Sequence, residues 1–360
     1  MPESSKRSRA STASNDEESN TKRQCRTTEG VRCSLYMIRS VQEGSVTQIP
    51  LQLILKEKKI KDLCICMASY DDEYDDIEHN AYILFQNGNL KKWGKVEDYP
   101  YQMPGKIPNS IFLDQVMQIA CSSLHAIAVK RDGSVWTWGN GARNGRLGRQ
   151  TIASDPSSPG QVVGLQDTKI QKVACGSHAS FALSSTGALY SWGHNSANGH
   201  GGSLDGFISA PKIIQPLPPM KDIVTRNRAA GTLTTDGKVF TWGLKAYSGH
   251  HTGPAVDENY DSDTLINDET VGRPTILSAA MTDGEIVQLS CGYTHMAALS
   301  KKRSVFAWGM NDHGQRGEGD AANSLAPALV EGLMNEKIVQ VSCGTFYTAA
   351  LSDEGEIFTW

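Results

Sequence analysis

The chain has 360 residues, a net charge of −4 and a pI near 6.1, and 39% of its residues are hydrophobic. This length is ample for a buried core, and the near-balanced charge excludes a polycationic nucleic-acid binder. No apolar run approaches the roughly 18 residues that a membrane span needs, so we expect neither a membrane protein nor a signal peptide.

The first 30 residues are predicted to be a disordered polar tail, because they have almost no large apolar side chains to offset the entropy of ordering. The tail carries two basic clusters, which are Lys6, Arg7 and Arg9, and then Lys22, Arg23 and Arg26. Two such clusters around a flexible spacer are typical of a bipartite nuclear-import signal that an import receptor binds. A solvated tail without this role is the alternative. The import hypothesis predicts a nuclear protein, or one of nucleus and cytoplasm.

The rest of the sequence is built from a repeat that ends in Trp. Six tryptophans share one pattern, with spacings of 45 to 66 residues: Trp93, Trp138, Trp192, Trp242, Trp308 and Trp360. Five residues before each Trp stands a Gly, with Arg303 as the exception, and nine residues before stands Leu or Val. Fixed offsets with variable spacing indicate a structural repeat whose connecting loops differ in length.

Each unit contains three short apolar runs separated by turns. Asp132-Gly133 and its equivalents in four other units predict a tight primed hairpin turn, because Gly adopts positive φ without steric cost. At Arg303 we expect a looser turn. A further segment in most units is predicted to be an outer edge strand, where proline is tolerated. The prolines that mark it are Pro159, Pro211, Pro274 and Pro327.

Four short antiparallel strands in a unit of about 50 residues predict an all-β fold, namely a β-propeller of four-stranded blades. The tryptophans mark six blades, and residues 31–55 resemble part of another. We therefore divide the chain into the polar tail, residues 1–30, and the propeller, residues 31–360. The last unit stops at Trp360, so either the N-terminal strands complete its blade or, as we favour, the protein continues beyond this residue.

The eight cysteines are interpreted as reduced thiols of a cytosolic or nuclear protein. Four of them stand 17 residues before a repeat Trp, where Cys serves as a small apolar filler: Cys121, Cys175, Cys291 and Cys343. Equivalent positions in successive blades are expected to be too far apart for a disulfide.

The repeat resembles that of the regulator of chromosome condensation family. Residues 286–299 (IVQLSCGYTHMAAL), 337–351 (KIVQVSCGTFYTAAL) and 308–319 (WGMNDHGQRGEG) match its consensus, and the resemblance covers roughly residues 80–360. It implies a seven-bladed propeller, one blade more than the tryptophans mark. Several offsets coincide in every unit, so the motif is specific for the fold.

The founder of this family is the nuclear exchange factor for the small GTPase Ran. The stretch 145–151 (GRLGRQT), the long spacing between Trp242 and Trp308, and the basic tail are similar to that branch. The resemblance implies a guanine-nucleotide exchange factor-like protein for a Ran-type GTPase, acting at chromatin with the nucleosome as a further partner. The alternative is a non-catalytic interaction module of a larger scaffold or ubiquitin-ligase-type protein.

The chain also departs from the exchange factors. Gln150 stands where they have Asp, the turn at Ser177 lacks an acidic residue, and Phe346-Tyr347 occupies a turn that carries a functional His. Together with three arginines of the loop after Trp138, these positions are our candidate partner-facing residues: Arg143, Arg146, Arg149, Gln150, Ser177, Phe346 and Tyr347.

A simple meander within each blade would bring the first-to-second and third-to-fourth connections to one side of the propeller. That side carries the irregular segments 70–78 and 244–275, so we predict that it is the recognition face. His125, His178 and His295 recur at nearly one repeat position and are interpreted as backbone-bonding structural groups. The sequence has no nucleophilic triad or phosphate loop. We therefore expect no catalytic residue, no covalent chemistry, no cofactor, no metal and a monomer.

Overall fold

The computed structural model describes residues 60–66, 80–95, 110–122, 124–139, 145–149, 156–202, 206–250, 270–277, 281, 284–319 and 326–360. In these ranges the chain forms strands joined by turns, with one helical turn, α1 (Lys245–Ser248), and one 3-10 turn (Glu331–Leu333). The strands, in chain order, are β1 (Ile60–Cys66), β2 (Asn80–Phe85), β3 (Leu90–Lys95), β4 (Val116–Cys121), β5 (His125–Lys130), β6 (Val135–Gly139), β7 (Gly160–Gln161), β8 (Ile170–Cys175), β9 (Ala179–Ser184), β10 (Leu189–His194), β11 (Phe207–Ile213), β12 (Met220–Arg226), β13 (Ala229–Thr234), β14 (Val239–Leu244), β15 (Thr270–Ile276), β16 (Ile286–Cys291), β17 (His295–Ser300), β18 (Val305–Gly309), β19 (Ala328–Leu329), β20 (Ile338–Cys343), β21 (Thr348–Ser352) and β22 (Ile357–Thr359). No helix in these ranges is long and apolar enough to cross a bilayer.

The strands form antiparallel meanders, one for each repeat. Sheet 1 contains β1–β3, sheet 2 β4–β7, sheet 3 β8–β11, sheet 4 β12–β15, sheet 5 β16–β19 and sheet 6 β20–β22. Successive sheets pack side by side through their first strands, so the fold is the predicted all-β propeller of four-stranded blades. The described part of the chain holds six sheets, and the strands expected in residues 31–55 lie outside it.

The outermost strand of a blade is where the prolines stand. Pro211 lies in β11 and Pro274 in β15, and both strands are sheet edges. Pro159 directly precedes the short edge strand β7, and Pro327 directly precedes the short edge strand β19. In sheet 1 a single bridge between Leu90 and Leu113 takes the place of this strand. The edge-strand prediction is therefore confirmed in sheets 2 to 5.

The core consists of apolar clusters between neighbouring sheets. Each cluster contains the Trp of one sheet together with residues of the preceding sheet, as Trp192 packs with Ile127 and Val129 of β5. Trp138, Trp192, Trp242 and Trp308 are among the largest fully buried side chains. The repeat Trp thus joins two blades, which is why it recurs once in each unit.

The hairpins after the second strands differ from the predicted turn. In Lys130–Ser134 the Gly133 N–H donates to the Lys130 carbonyl at 3.0 Å, and only Gly133 has positive φ. A type I turn closed by one left-handed residue has this geometry, whereas a primed turn needs positive φ at a central residue. Arg303 adopts the same conformation, with φ 75° and its N–H 2.9 Å from the Ser300 carbonyl. The expectation of a looser turn at Arg303 is therefore wrong.

Side chains of the first strands bind the next sheet. The Gln118 amide pairs with the backbone of Val173, accepting at 2.9 Å and donating at 3.1 Å. Gln288 pairs with Val341 in the same way, at 3.0 Å in both directions. Lys172 instead forms an ion pair with Asp222. The centre of the propeller is thus held by polar pairs, and the Trp clusters lie farther out.

The cysteines follow the prediction only in part. Cys175 and Cys343 are buried free thiols within the apolar clusters, and Cys291 is a half-buried free thiol. Cys121, by contrast, is disulfide-bonded, so the expectation that all the thiols are reduced is wrong at this position.

Candidate partner-binding face

The meander places two kinds of connection on opposite sides of the propeller. We name the side with the connections after first and third strands the loop face, and the side with the glycine hairpins the hairpin face. The loop face contains the described residues 122, 124, 145–149, 176–178, 195–202, 226–228, 245–250, 292–294, 310–319 and 344–347.

Among the described loops, those that follow Trp138, Trp192 and Trp308 each cover the Trp of the next sheet. The indole N–H of Trp192 donates to the Arg146 carbonyl at 2.7 Å, and that of Trp242 donates to the Ala197 carbonyl at 2.9 Å. Trp360 donates to the Gln315 carbonyl at 3.0 Å. The backbone of these loops is therefore part of the interface between blades.

Arg149 ties its loop to its own blade. Its guanidinium donates to the Ser158 carbonyl at 2.8 Å and to the carbonyl of Thr137. The equivalent residues of the next two loops make related bonds: His200 lies 3.0 Å from the Ser191 hydroxyl and His250 lies 2.8 Å from the Thr241 hydroxyl. The structure thus gives Arg149 a stabilising role within sheet 2.

The other candidate residues have varied surroundings. Arg146 and Ser177 are buried, each 5% exposed, whereas Phe346 and Tyr347 are half-buried. The Phe346 ring lies 5.9 Å from the Tyr293 ring and 4.8 Å from the His313 ring, measured between centroids. Partner contact at these positions stays a prediction. Two loop residues and the basic tail lie outside the described residues: Arg143, Gln150, Lys6, Arg7, Arg9, Lys22, Arg23 and Arg26.

Two recurring histidines join neighbouring blades. His125 lies 2.6 Å from the Ser180 hydroxyl, which donates to the Arg146 carbonyl at 2.9 Å, so the ring N–H of His125 is the donor to Ser180. His295 and Thr348 repeat the arrangement at 2.8 Å. The predicted structural role is therefore present, although the main partner is a hydroxyl of the next blade and not the histidine's own backbone.

Burial keeps four titratable groups at the loop-face ends of the strands uncharged. Burial, and then the charge of Arg146, lowers the pKa of His125 to about 3, and burial followed by Arg226 does the same for His295. Burial raises the pKa of the Cys175 thiol to about 12 and that of Tyr347 to about 12. These four groups are therefore poor proton carriers and nucleophiles near neutral pH.

Two sheets depart from the repeat at the first-to-second turn of the loop face. Where sheets 3, 5 and 6 have the glycines Gly176, Gly292 and Gly344, sheet 2 has the small Ser122 and sheet 4 has Arg226. A Cβ at Gly292 would lie 2.3 Å from the His295 ring, and a Cβ at Gly344 would lie 2.1 Å from the Tyr347 ring.

The residue three positions later explains why sheet 4 accepts this arginine. There Ala229 stands in place of the bulky His295 or Tyr347, which leaves room for a long side chain at position 226. In sheet 2, by contrast, the residue beside the His125 ring is the small Ser122. The sequence signal was the replacement of Cys-Gly by Thr225-Arg226, which our sequence reasoning missed.

Arg226 and Arg228 present positive charge without an acidic partner. Arg226 is exposed and reaches past sheet 5, where its guanidinium donates to the Thr345 hydroxyl at 3.2 Å. Among the described residues neither arginine forms an ion pair. The described loop face has two carboxylates, Asp312 and Glu318, and Glu318 is paired with Arg316.

The repeated sheets and their shared contacts define a propeller made from one structural unit. The chain belongs to the RCC1-like domain family, whose model matches residues 87–360. It is 28% identical to the mitochondrial RCC1 domain-containing protein RUG3 of Arabidopsis thaliana over 292 residues, 76% of this chain and 61% of that protein. It is 31% identical to the human E3 ubiquitin-protein ligase HERC2 over 242 residues, 66% of this chain and 5% of HERC2.

Solved structures show the same fold. Human WBSCR16 superposes with a TM-score of 0.65 and 21% identity, covering 84% of this chain and 76% of that one. Prp20p of Saccharomyces cerevisiae gives 0.60 and 21%, covering 76% and 68%. The chain spans less than two thirds of the length of its curated relatives RUG3, HERC2 and the ultraviolet-B receptor UVR8 of Arabidopsis thaliana.

The relatives overturn the predicted location. RUG3, which aligns with 76% of this chain, is a mitochondrial protein, and this contradicts the expectation of a nuclear location. Basic clusters in a polar segment are a short and common pattern, which explains why they misled the prediction.

Proposed function

We propose that this chain is a non-catalytic protein-binding propeller that holds its partner on the loop face around Arg226 and Arg228. The observation that carries the proposal is this arginine turn, in which Arg226 is exposed. The turn has no ion pair within the described residues, and it replaces the glycine turn of sheets 3, 5 and 6. The residues that recur from unit to unit, by contrast, form the contacts between neighbouring blades. The relatives HERC2, a ubiquitin-protein ligase, and UVR8, an ultraviolet-B receptor, are different kinds of protein. This variety supports a propeller that acts as a binding module and not as a catalyst of one reaction.

Site-specific photo-crosslinking tests the choice of face. A benzophenone side chain is placed at His313, an exposed loop-face residue beside Phe346, and in a matched variant at Thr186, an exposed hairpin-face residue. We expect a discrete protein adduct from position 313 in cells and none from position 186. Adducts from the hairpin face alone, or from neither position with both variants folded, would refute the proposal.

The second candidate is guanine-nucleotide exchange on a Ran-type GTPase. It is favoured by the loop sequence 145–151 and by the fold likeness to Prp20p, for which binding to Gsp1p and to histones has been described. In this case the propeller would stabilise the nucleotide-free GTPase better than the loaded one, and histones would be a further partner.

Loss of labelled GDP from Ran, with catalytic amounts of this protein, tests the exchange hypothesis. If the site is a weakened exchange centre, Gln150→Asp should accelerate release above that of the parent protein. Rates equal to spontaneous release for both proteins, with circular dichroism unchanged, would remove this candidate and leave the binding module.

A further inference from the structure

On the basis of the proposed binding role of the loop face, we propose that Arg226 and Arg228 bind an acidic peptide segment of a partner protein. The acidic side chains of this peptide are spaced so that one reaches each arginine. The aromatic cluster of Tyr293, Phe346 and His313 would receive an apolar side chain of the same peptide.

The chemistry of the two arginines favours carboxylates. A guanidinium offers five N–H donors in a planar fork, and a carboxylate can accept two of them at once. Arg226 donates one hydrogen bond to Thr345, which holds the side chain in place and leaves donors for a ligand. The guanidinium of Arg228 has no hydrogen bond or ion pair among the described residues, so it loses no existing partner when a ligand binds.

The positions of the arginines favour a peptide over a small ion. Arg226 extends across sheet 5 to Thr345 of sheet 6, whereas the charge of Arg228 acts on His178 of sheet 3 and helps burial to lower its pKa. Between them Asn227 has φ 48°, a left-handed conformation that turns the backbone sharply. Arg226 therefore has its partner in sheet 6 and Arg228 its neighbour in sheet 3. An extended ligand is better placed than one compact anion to contact both guanidiniums.

The surroundings offer little competition for such a ligand. The first-to-second turns of sheets 2 to 6 contain no Asp or Glu among their described residues. On the side of Arg226, the half-buried ring of Phe346 lies between Tyr293 and His313 and forms a small apolar platform. Charge and apolar surface are thus adjacent, as in protein interfaces where Arg and aromatic residues concentrate.

Fluorescence anisotropy with labelled peptides tests the ligand class. The probe is a short peptide that carries two pairs of Asp residues separated by a segment with one Phe, and its control has Asn at every Asp. The protein variant Arg226→Gly/Arg228→Thr takes the residues that the chain itself has at these positions in sheet 5, Gly292 and Thr294. This choice preserves the turn. Arg131→Gln, on the hairpin face, is the matched charge control.

We expect the acidic peptide to bind the parent protein and the Arg131→Gln variant, and to bind the double variant about tenfold or more weakly. Arg226→Lys should weaken binding as well, because it keeps the charge but loses the planar fork. Equal binding of the Asn peptide, unchanged affinity of the double variant, or preferential binding of a single-stranded oligonucleotide would overturn the inference.

The two proposals fail in different ways. If benzophenone at position 313 captures a partner but acidic peptides neither bind nor compete with it, the ligand class is wrong and the binding face stands. If neither position captures a partner in cells while the acidic peptide still binds through Arg226 and Arg228, the proposed function is wrong and only the peptide site stands.

Discussion

Replacing Trp192 by Ala should cost this protein about 3–5 kcal/mol of unfolding free energy. Trp192 has no exposed surface, packs between β5 and its own sheet, and donates its indole N–H to the Arg146 carbonyl at 2.7 Å. Burying the 150–250 Å² of a large aromatic side chain is worth roughly 4–6 kcal/mol at about 25 cal/mol per Å². Measured Trp→Ala substitutions in cores reach about 3–5 kcal/mol, so the two routes agree.

Urea unfolding followed by circular dichroism measures this loss. Trp136→Ala is a matched control, because Trp136 is half-buried in β6 and bonds only locally, with its indole 3.1 Å from the Ser134 hydroxyl. We expect the control to lose clearly less than Trp192→Ala, because Trp136 is half-buried and only borders the apolar cluster that contains Trp138. Equal losses in the two variants would refute the interpretation that the repeat Trp joins the blades.

Three further predictions concern the repeat itself. Arg303→Gly should raise the unfolding free energy by up to about 1 kcal/mol, because a left-handed φ costs an L-residue about 1–2 kcal/mol. The exposed ion pair with Asp353, which this change removes, contributes little. A lower urea midpoint for the variant would contradict this prediction. Ser180→Ala should cost about 1–3 kcal/mol by leaving the buried N–H of His125 with only the weak acceptor Cys175 Sγ, 3.2 Å away. In a double-mutant cycle the further change His125→Ala should cost less than it does alone, and additivity would disprove the coupling. Burial lowers the pKa of His295 to about 3 from 6.5, so protons favour the unfolded chain and stability should fall as pH decreases below 6.5. His295→Gln should flatten that decline in urea midpoints measured at successive pH values, and an unchanged slope would count against this histidine.

Much of the fold could be predicted because the residues that recur in each unit determine where its strands and turns form. Fixed offsets around Trp192 and Trp242 specify strand lengths and the residues that each cluster buries, and the structure has both. The hairpin type was not predictable from Asp132-Gly133 alone, because Asp-Gly suits both a two-residue primed turn and a three-residue turn ending in Gly. The identical turn at Arg303 shows that the flanking strands determine its conformation as much as the residue does.

The candidate site was harder to predict, because its side chains meet across blades. The sequence alone suggests that Arg149 is an exposed cation. In the structure its guanidinium donates to the carbonyls of Ser158 and Thr137, which only the folded sheet 2 brings near. Arg226 lies 119 residues from Thr345 in the chain, and no local pattern indicates their contact. What the sequence does contain is the departure from Cys-Gly at Thr225-Arg226. In a repeat protein, such exceptions indicate a local function better than the consensus does.

The buried pairs between blades also restrict the order in which the units can follow one another. His125 and His295 are followed, in the next sheet, by the hydroxyl residues Ser180 and Thr348. Where the donor position holds Ala179, the next sheet has Ala230 in the same apolar cluster. Placing sheet 2 or sheet 5 directly before sheet 4 would bury a ring N–H against the methyl group of Ala230. A blade that donates this bond is therefore expected to stay next to a blade that accepts it.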